Sequence, residues 1–153
     1  MAAYIENPYI VGRPLTVQQL EMFVGRQKII QRIKKWIDNP FRPPILLYGQ
    51  HRVGKTSLLK CLSAFLPTNV IILYIDLESF FLKNEQDFFR NLAYEMIYSA
   101  RQQNYQLPNI NLESVDRTQF VDWLGQIKAS LGQRILLIEW DEFISLKCKV
   151  IEK

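Results

Sequence analysis

The run from Ile45 to Leu59, ILLYGQHRVGKTSLL, constrains this chain more than any other stretch. An apolar segment stops on Gly49, four mixed residues follow, and Gly54-Lys55-Thr56 opens a segment whose Leu58, Leu59, Leu62 and Phe65 recur at helical spacing. A strand, a glycine-bounded turn and a helix in that order form a cradle for phosphate. Glycine at both ends admits positive φ and brings the main chain close to a ligand with no Cβ in the way. Amides of the loop, from Gly49 through Val53 and Gly54, can then converge on phosphate oxygens, and the helix start adds the positive end of its dipole. In this arrangement Lys55 reaches the terminal phosphates, the Thr56 hydroxyl ligates Mg2+, and Ser57 adds a nearby donor.

A buried parallel sheet is the natural setting for such a loop, and the rest of the chain supplies its parts. Ile45 to Tyr48 fits a short strand buried on both faces. Val70 to Leu77 is rich in β-branched residues and predicts a second strand; Ile135 to Trp140 predicts a third. Helical spacing covers Gln27 to Asp38, Lys55 to Phe65, Glu85 to Gln103 and Asp116 to Leu131, the last followed by Gly132 where a C-terminal cap belongs. Alternating strands and helices imply an α/β fold, a parallel sheet covered by helices. Residues 1–22 read as an irregular lead-in, broken by Asn7-Pro8 and Gly12-Arg13-Pro14, and residues 23–153 as the domain. Aromatic stripes along the helices are core.

The third strand ends on acids: Ile135-Leu136-Leu137-Ile138-Glu139-Trp140-Asp141-Glu142. Hydrolysis at a phosphate loop needs one carboxylate on the metal side and a second to polarise water. Asp141 suits the first role and Glu142 the second. Asp76 and Glu78, after VIILYI, form a competing pair, ranked lower because only the later pair sets two acids side by side at a strand tip. Glu139 is an anomaly, since a charge inside an apolar strand is costly unless partnered. It either faces solvent at a sheet edge or is itself the metal-side acid in a shifted register.

Charge and cysteine content narrow the class further. Residues 1–60 hold ten Lys/Arg against three Asp/Glu, within a net charge of +4. These basic residues are not interleaved with stacking aromatics, which argues against a nucleic-acid surface. Arg32, Lys34 and Lys35 read as the wet side of a helix. His51, the only histidine, has no ligand-spaced partner and reads as a solvent-facing loop residue. Cys61 and Cys148 are unpaired, and with no export signal or membrane span legible, a reducing, cytoplasmic setting is expected.

YGQHRVGKT followed by a strand ending in Asp-Glu resembles the P-loop ATPases of the AAA+ and STAND group. Phe23-Val24-Gly25-Arg26, upstream of an amphipathic helix, is similar to the Phe-Val-Gly-Arg-Glu box of that group, with Gln27 in place of the glutamate. The resemblance spans roughly residues 7 to 143. It implies a three-layer α/β/α fold, ATP with Mg2+ as cofactors, ATPase activity through Lys55 and Glu142, and Val24 and Gly25 as contacts to the adenine. ATP over GTP is implied by the resemblance; no Asn-Lys-x-Asp guanine reader is evident. Relatives continue past the acidic pair with two further strands, a sensing arginine and a helical lid, so the resemblance implies a C-terminally incomplete sheet. The missing strand would separate the strand before the loop from the one bearing the acids, leaving the former unpaired. A partner chain or self-association through exposed sheet edges is the matching expectation.

Overall fold

A computed structural model describes residues 12–80 and 82–142. Expectations about the start of the lead-in, Cys148 and the closing LKCKVIEK lie outside the described residues. The chain divides into two compact units, Met1–Leu66 and Pro67–Lys153.

In the first unit, a 3-10 turn over Val17–Met22 precedes α1, Gln27–Ile37. Ile30 and Ile37 are buried on one side of α1, while Arg32, Lys34 and Lys35 are exposed, so the basic cluster is a solvated helix face. Past α1 the chain is pinned by side chains: Arg42 Nε donates to the Ile37 carbonyl at 2.8 Å, and Trp36 Nε1 to that of Pro43 at 2.7 Å. The second helix, α2, spans Lys55–Leu62, three residues shorter than the spacing through Phe65 predicts. Leu58, Cys61 and Leu62 are buried, and burial pushes the Cys61 thiol pKa up.

The strand expected at Ile45 to Tyr48 is not formed. That segment carries no regular structure, and Ile45, Leu46 and Tyr48 are 51%, 80% and 86% exposed. The reason is physical: strand propensity is realised only against a pairing neighbour, and no described segment pairs here.

The second unit contains β1, Val70–Asp76, and β2, Ile135–Asp141, joined by α3, Glu85–Gln102, and α4, Arg117–Ser130. The strands are parallel with Val70 opposite Ile135 and Asp76 opposite Asp141, a pairing that requires a long crossover. Both crossover helices begin on side-chain caps. Asn84 accepts from the Asp87 amide at 2.8 Å; Asp116 accepts from that of Gln119 at 2.8 Å, and the Gln119 side chain answers to the Asp116 amide. Leu92, Met96 and Ala100 of α3 pack with Phe120, Trp123 and Ile127 of α4 and with Ile71, Leu73 and Ile75 of β1 as one core. Trp123 is buried, its indole N–H satisfied by the Pro108 carbonyl at 2.8 Å. Gly132 closes α4 at φ +58.

The edge of β1 away from β2 is sealed by side chains of α3 and the residue after it. The Ile72 amide donates to Gln103 Oε1 at 3.0 Å, Gln103 Nε2 donates back to the Ile72 carbonyl, and the Tyr74 amide donates to Ser99 Oγ at 3.0 Å. An edge strand left bare would template pairing with another chain; here a glutamine and a serine take the place of a neighbour.

Candidate functional site

The loop expected to cradle phosphate lies within the first unit. Gly54 takes φ +85 and serves as the N-cap of α2, its carbonyl accepting from the Leu58 amide at 3.0 Å. The second left-handed residue is Arg52, at φ +62, and not Gly49 as the glycine pattern suggests. Gly49 has a different role. A Cβ there would meet Val53 Cγ2 at 3.3 Å, so its bare α-carbon lets the loop close on itself. Lys55 Nζ donates to the carbonyls of Gly49 and Gln50 at 3.1 and 3.0 Å, placing the ammonium over the loop. Thr56 stands one residue into α2, half-buried. Ser57 Oγ accepts from the Leu15 amide at 3.0 Å, so this hydroxyl is already tied to the lead-in.

The box at residues 23–26 belongs to the same unit. Phe23 packs against Phe65 with ring centroids 5.6 Å apart. Val24 is 70% exposed, and Gly25 turns the chain at φ +79 with open space where a Cβ would stand. Arg26 opens α1 and donates through Nη2 to the Val53 carbonyl. His51 is exposed.

The acids lie in the second unit, at the C-terminal ends of the parallel strands, where ligands bind in open α/β sheets. Asp141 closes β2 and is 7% exposed; Oδ2 accepts from the Tyr74 hydroxyl at 2.9 Å, and Oδ1 from the Glu142 amide at 3.1 Å. Glu142 is exposed and takes φ +53, so the chain leaves the sheet immediately after Asp141. Asp76, opposite Asp141, is committed to a local turn: its Oδ1 accepts from the Glu78 amide at 3.0 Å.

Glu139 does not face solvent. It is 5% exposed, alternates onto the same sheet face as Asp141, and neither carboxylate oxygen has a hydrogen-bond partner among the described residues. Burial, reinforced by the Asp141 charge, pushes its pKa from 4.5 up to about 8. The Tyr74 hydroxyl is likewise held far above the usual phenol range, by burial first and then by its bond to Asp141. Glu95 is raised by burial and by the charge of Asp76.

The structure therefore gathers Val24, Gly25, Gly49, Val53, Gly54, Lys55, Thr56 and Ser57 in one unit and Asp141 and Glu142 in the other. Two participants carried no signal of their own. Tyr74 is found only through strand register, and the reach of Arg26 to the loop only through folding of the box.

Among the described residues no cluster of three or more His, Cys, Asp or Glu side chains could hold a metal, and no helix is long and apolar enough to cross a membrane. No curated protein and no solved structure matches the chain. Residues 23–151 match the family model of an ATPase domain predominantly from Archaea. That match takes in the box, the cradle and the acid-tipped strand together, and the chain belongs to this ATPase family.

Proposed function

We propose that this domain binds ATP with Mg2+ through the 49–57 loop, in the manner of AAA+ and STAND proteins, and hydrolyses it slowly through Asp141 and Glu142. The observation that supports it best is the cradle: Gly54 at φ +85 leading into α2, with Lys55 resting on the carbonyls of Gly49 and Gln50. Loop amides and the start of α2 would hold the phosphates, and Lys55 would move from those carbonyls to the terminal phosphate oxygens. Val24 and Gly25, exposed beside a turn, would contact the base.

Mg2+ fits the donor set. It takes hard oxygen ligands and is commonly held by one or two carboxylates together with phosphates and water, so a dense protein cluster is not required. The Thr56 hydroxyl would supply one such oxygen, Asp141 is the carboxylate that the sequence offers for the metal side, and when bound the ion would neutralise charge on the phosphates. Glu142 would accept the proton of the attacking water as its oxygen bonds to the terminal phosphorus and ADP departs.

Equilibrium binding of a fluorescent ATP analogue to the wild type and Lys55→Ala tests the cradle. Loss of most affinity in the variant is expected; equal affinity would remove the loop from the account.

A second reading, a nucleotide-steadied switch or adaptor without turnover, is favoured by the exposed apolar segment at Ile45, Leu46 and Tyr48, a surface suited to a protein partner. Glu142→Gln separates the two. A hydrolase would accumulate bound ATP in that variant, whereas a switch would be indifferent to the change.

A further inference from the structure

We propose that Arg26 is a positioning residue of the phosphate loop: its guanidinium holds the peptide between Val53 and Gly54 in the orientation that aims the Gly54 N–H into the cradle. The inference rests on the phosphate-binding reading of the loop and adds to it a residue outside the Gly49–Ser57 segment.

A trans peptide is planar, and its C=O and N–H point to opposite sides. Arg26 Nη2 donates to the Val53 carbonyl, so that carbonyl is drawn toward Arg26 and the Gly54 amide of the same plane is turned away from it. This plane is the one most in need of a restraint. Arg52 at φ +62 and Gly54 at φ +85 flank Val53 on either side, and a glycine on one side of a peptide lowers the cost of flipping it. Flipped, the peptide would put a carbonyl where an anion needs a donor.

Arg26 is itself anchored. It is the N-cap residue of α1, and its own carbonyl accepts from the amides of Ile29 and Ile30, both at 3.1 Å. The contact with the loop is close: a Cβ added to Gly54 would stand 3.3 Å from Arg26 Nη2. The segment leading to Arg26 is tied down twice more, by the Leu15 amide on Ser57 Oγ and by Phe23 against Phe65, so Arg26 is carried to the loop by a fixed segment. Arginine suits the role because its planar fork keeps its charge and loses little freedom on bonding.

Hydrogen exchange of the full chain without nucleotide, followed by mass spectrometry, compares wild type, Arg26→Ala and Arg26→Lys. In Arg26→Ala the amides of residues 49–56 are expected to exchange about tenfold faster while peptides from α3 and β1 keep their rates, since opening is local where restraints are few. Arg26→Lys recovers part of the protection. Fluorescent ADP and ATP both bind about tenfold more weakly to Arg26→Ala, the size of losing one hydrogen bond to a charged donor. Unchanged loop exchange in Arg26→Ala would overturn the inference, as would equal acceleration of loop, α3 and β1. If the wild type binds neither nucleotide, the phosphate reading fails, and the exchange rates still decide whether Arg26 orders the loop.

Discussion

The Tyr74 hydroxyl donates to Asp141 Oδ2 at 2.9 Å, tying residues 67 positions apart across two parallel strands. Tyr74 sits opposite Glu139 in the register and reaches past it to the last residue of β2. Asp141 is thereby held by two donors, the phenol on one oxygen and the Glu142 amide on the other.

Tyr74→Phe removes one of those donors and little volume. A hydrogen bond to a charged group contributes about 1.5–3 kcal/mol, and the half-buried setting argues for the lower end. Chemical denaturation should show that loss. Paired with Asp141→Asn in a double-mutant cycle, the two changes should cost less together than their sum, because each removes the same bond.

Glu139 sets a pH dependence with a definite direction. Its pKa is about 8 in the folded chain against an ordinary 4.5. Below pH 4.5 the group is protonated in both states and its contribution to stability is fully present. Between pH 4.5 and 8 the unfolded chain releases a proton that the folded chain retains, so stability falls as pH rises, and above pH 8 the loss is complete. Unfolding free energies from denaturation at pH 5, 6.5 and 8 should decline in the wild type by a total on the order of 2–4 kcal/mol. In Glu139→Met that decline should flatten, and at pH 8 the variant should be the more stable protein, because a buried acid with no hydrogen-bond partner among the described residues costs more than a thioether of similar size.

Helix α3 was legible because Phe88, Phe89, Leu92 and Met96 recur on one face, and that periodicity is a local property. The acid-tipped strand was legible for a similar reason: an apolar run ending on Asp141 and Glu142 states its own boundary. What escaped is non-local. Whether Ile45 to Tyr48 becomes a strand depends on a neighbour for its amides and carbonyls; the resemblance implied that this neighbour is missing, but no property of the four residues reports it. Whether Glu139 faces water depends on what lies over its side of the sheet. The bond from Tyr74 to Asp141 follows from a register that only folding sets. Before α2 the glycine pattern predicts a turn, and a turn is there, but the pattern assigned positive φ to Gly49, whereas Arg52 adopts it and Gly49 supplies closeness to Val53.

Gly54 combines two demands that a single substitution would violate together. At φ +85 an L side chain is strained, by about 1–2 kcal/mol. An added Cβ would also crowd the Arg26 guanidinium at 3.3 Å. Gly132, at φ +58 with nothing within 4 Å, carries only the first demand. Gly132→Ala should therefore lower stability by about 1–2 kcal/mol and leave binding of a fluorescent ATP analogue intact. Gly54→Ala should lower stability by a similar amount and weaken that binding at least tenfold, since the strain there is relieved by distorting the loop itself. Melting curves and nucleotide titrations on the two variants check both halves.

The exposed segment before the loop should govern self-association. Leu46 and Tyr48 are 80% and 86% exposed, alternate with the half-buried Leu47, and lie in a run of strand-forming residues with no pairing neighbour among those described. Such a run is a template for pairing with a second chain. A charge on it disfavours that pairing and, because the side chains already face water, leaves folding nearly untouched, within about 0.5 kcal/mol. Sedimentation velocity over a concentration series should show the wild type shifting toward larger species as concentration rises, while Leu46→Lys/Tyr48→Lys stays monomeric at the same concentrations. Both proteins should unfold at the same denaturant concentration. Equal sedimentation of the two would mean that this segment does not drive association, and a lowered unfolding midpoint in the variant would mean that Leu46 or Tyr48 is buried in solution.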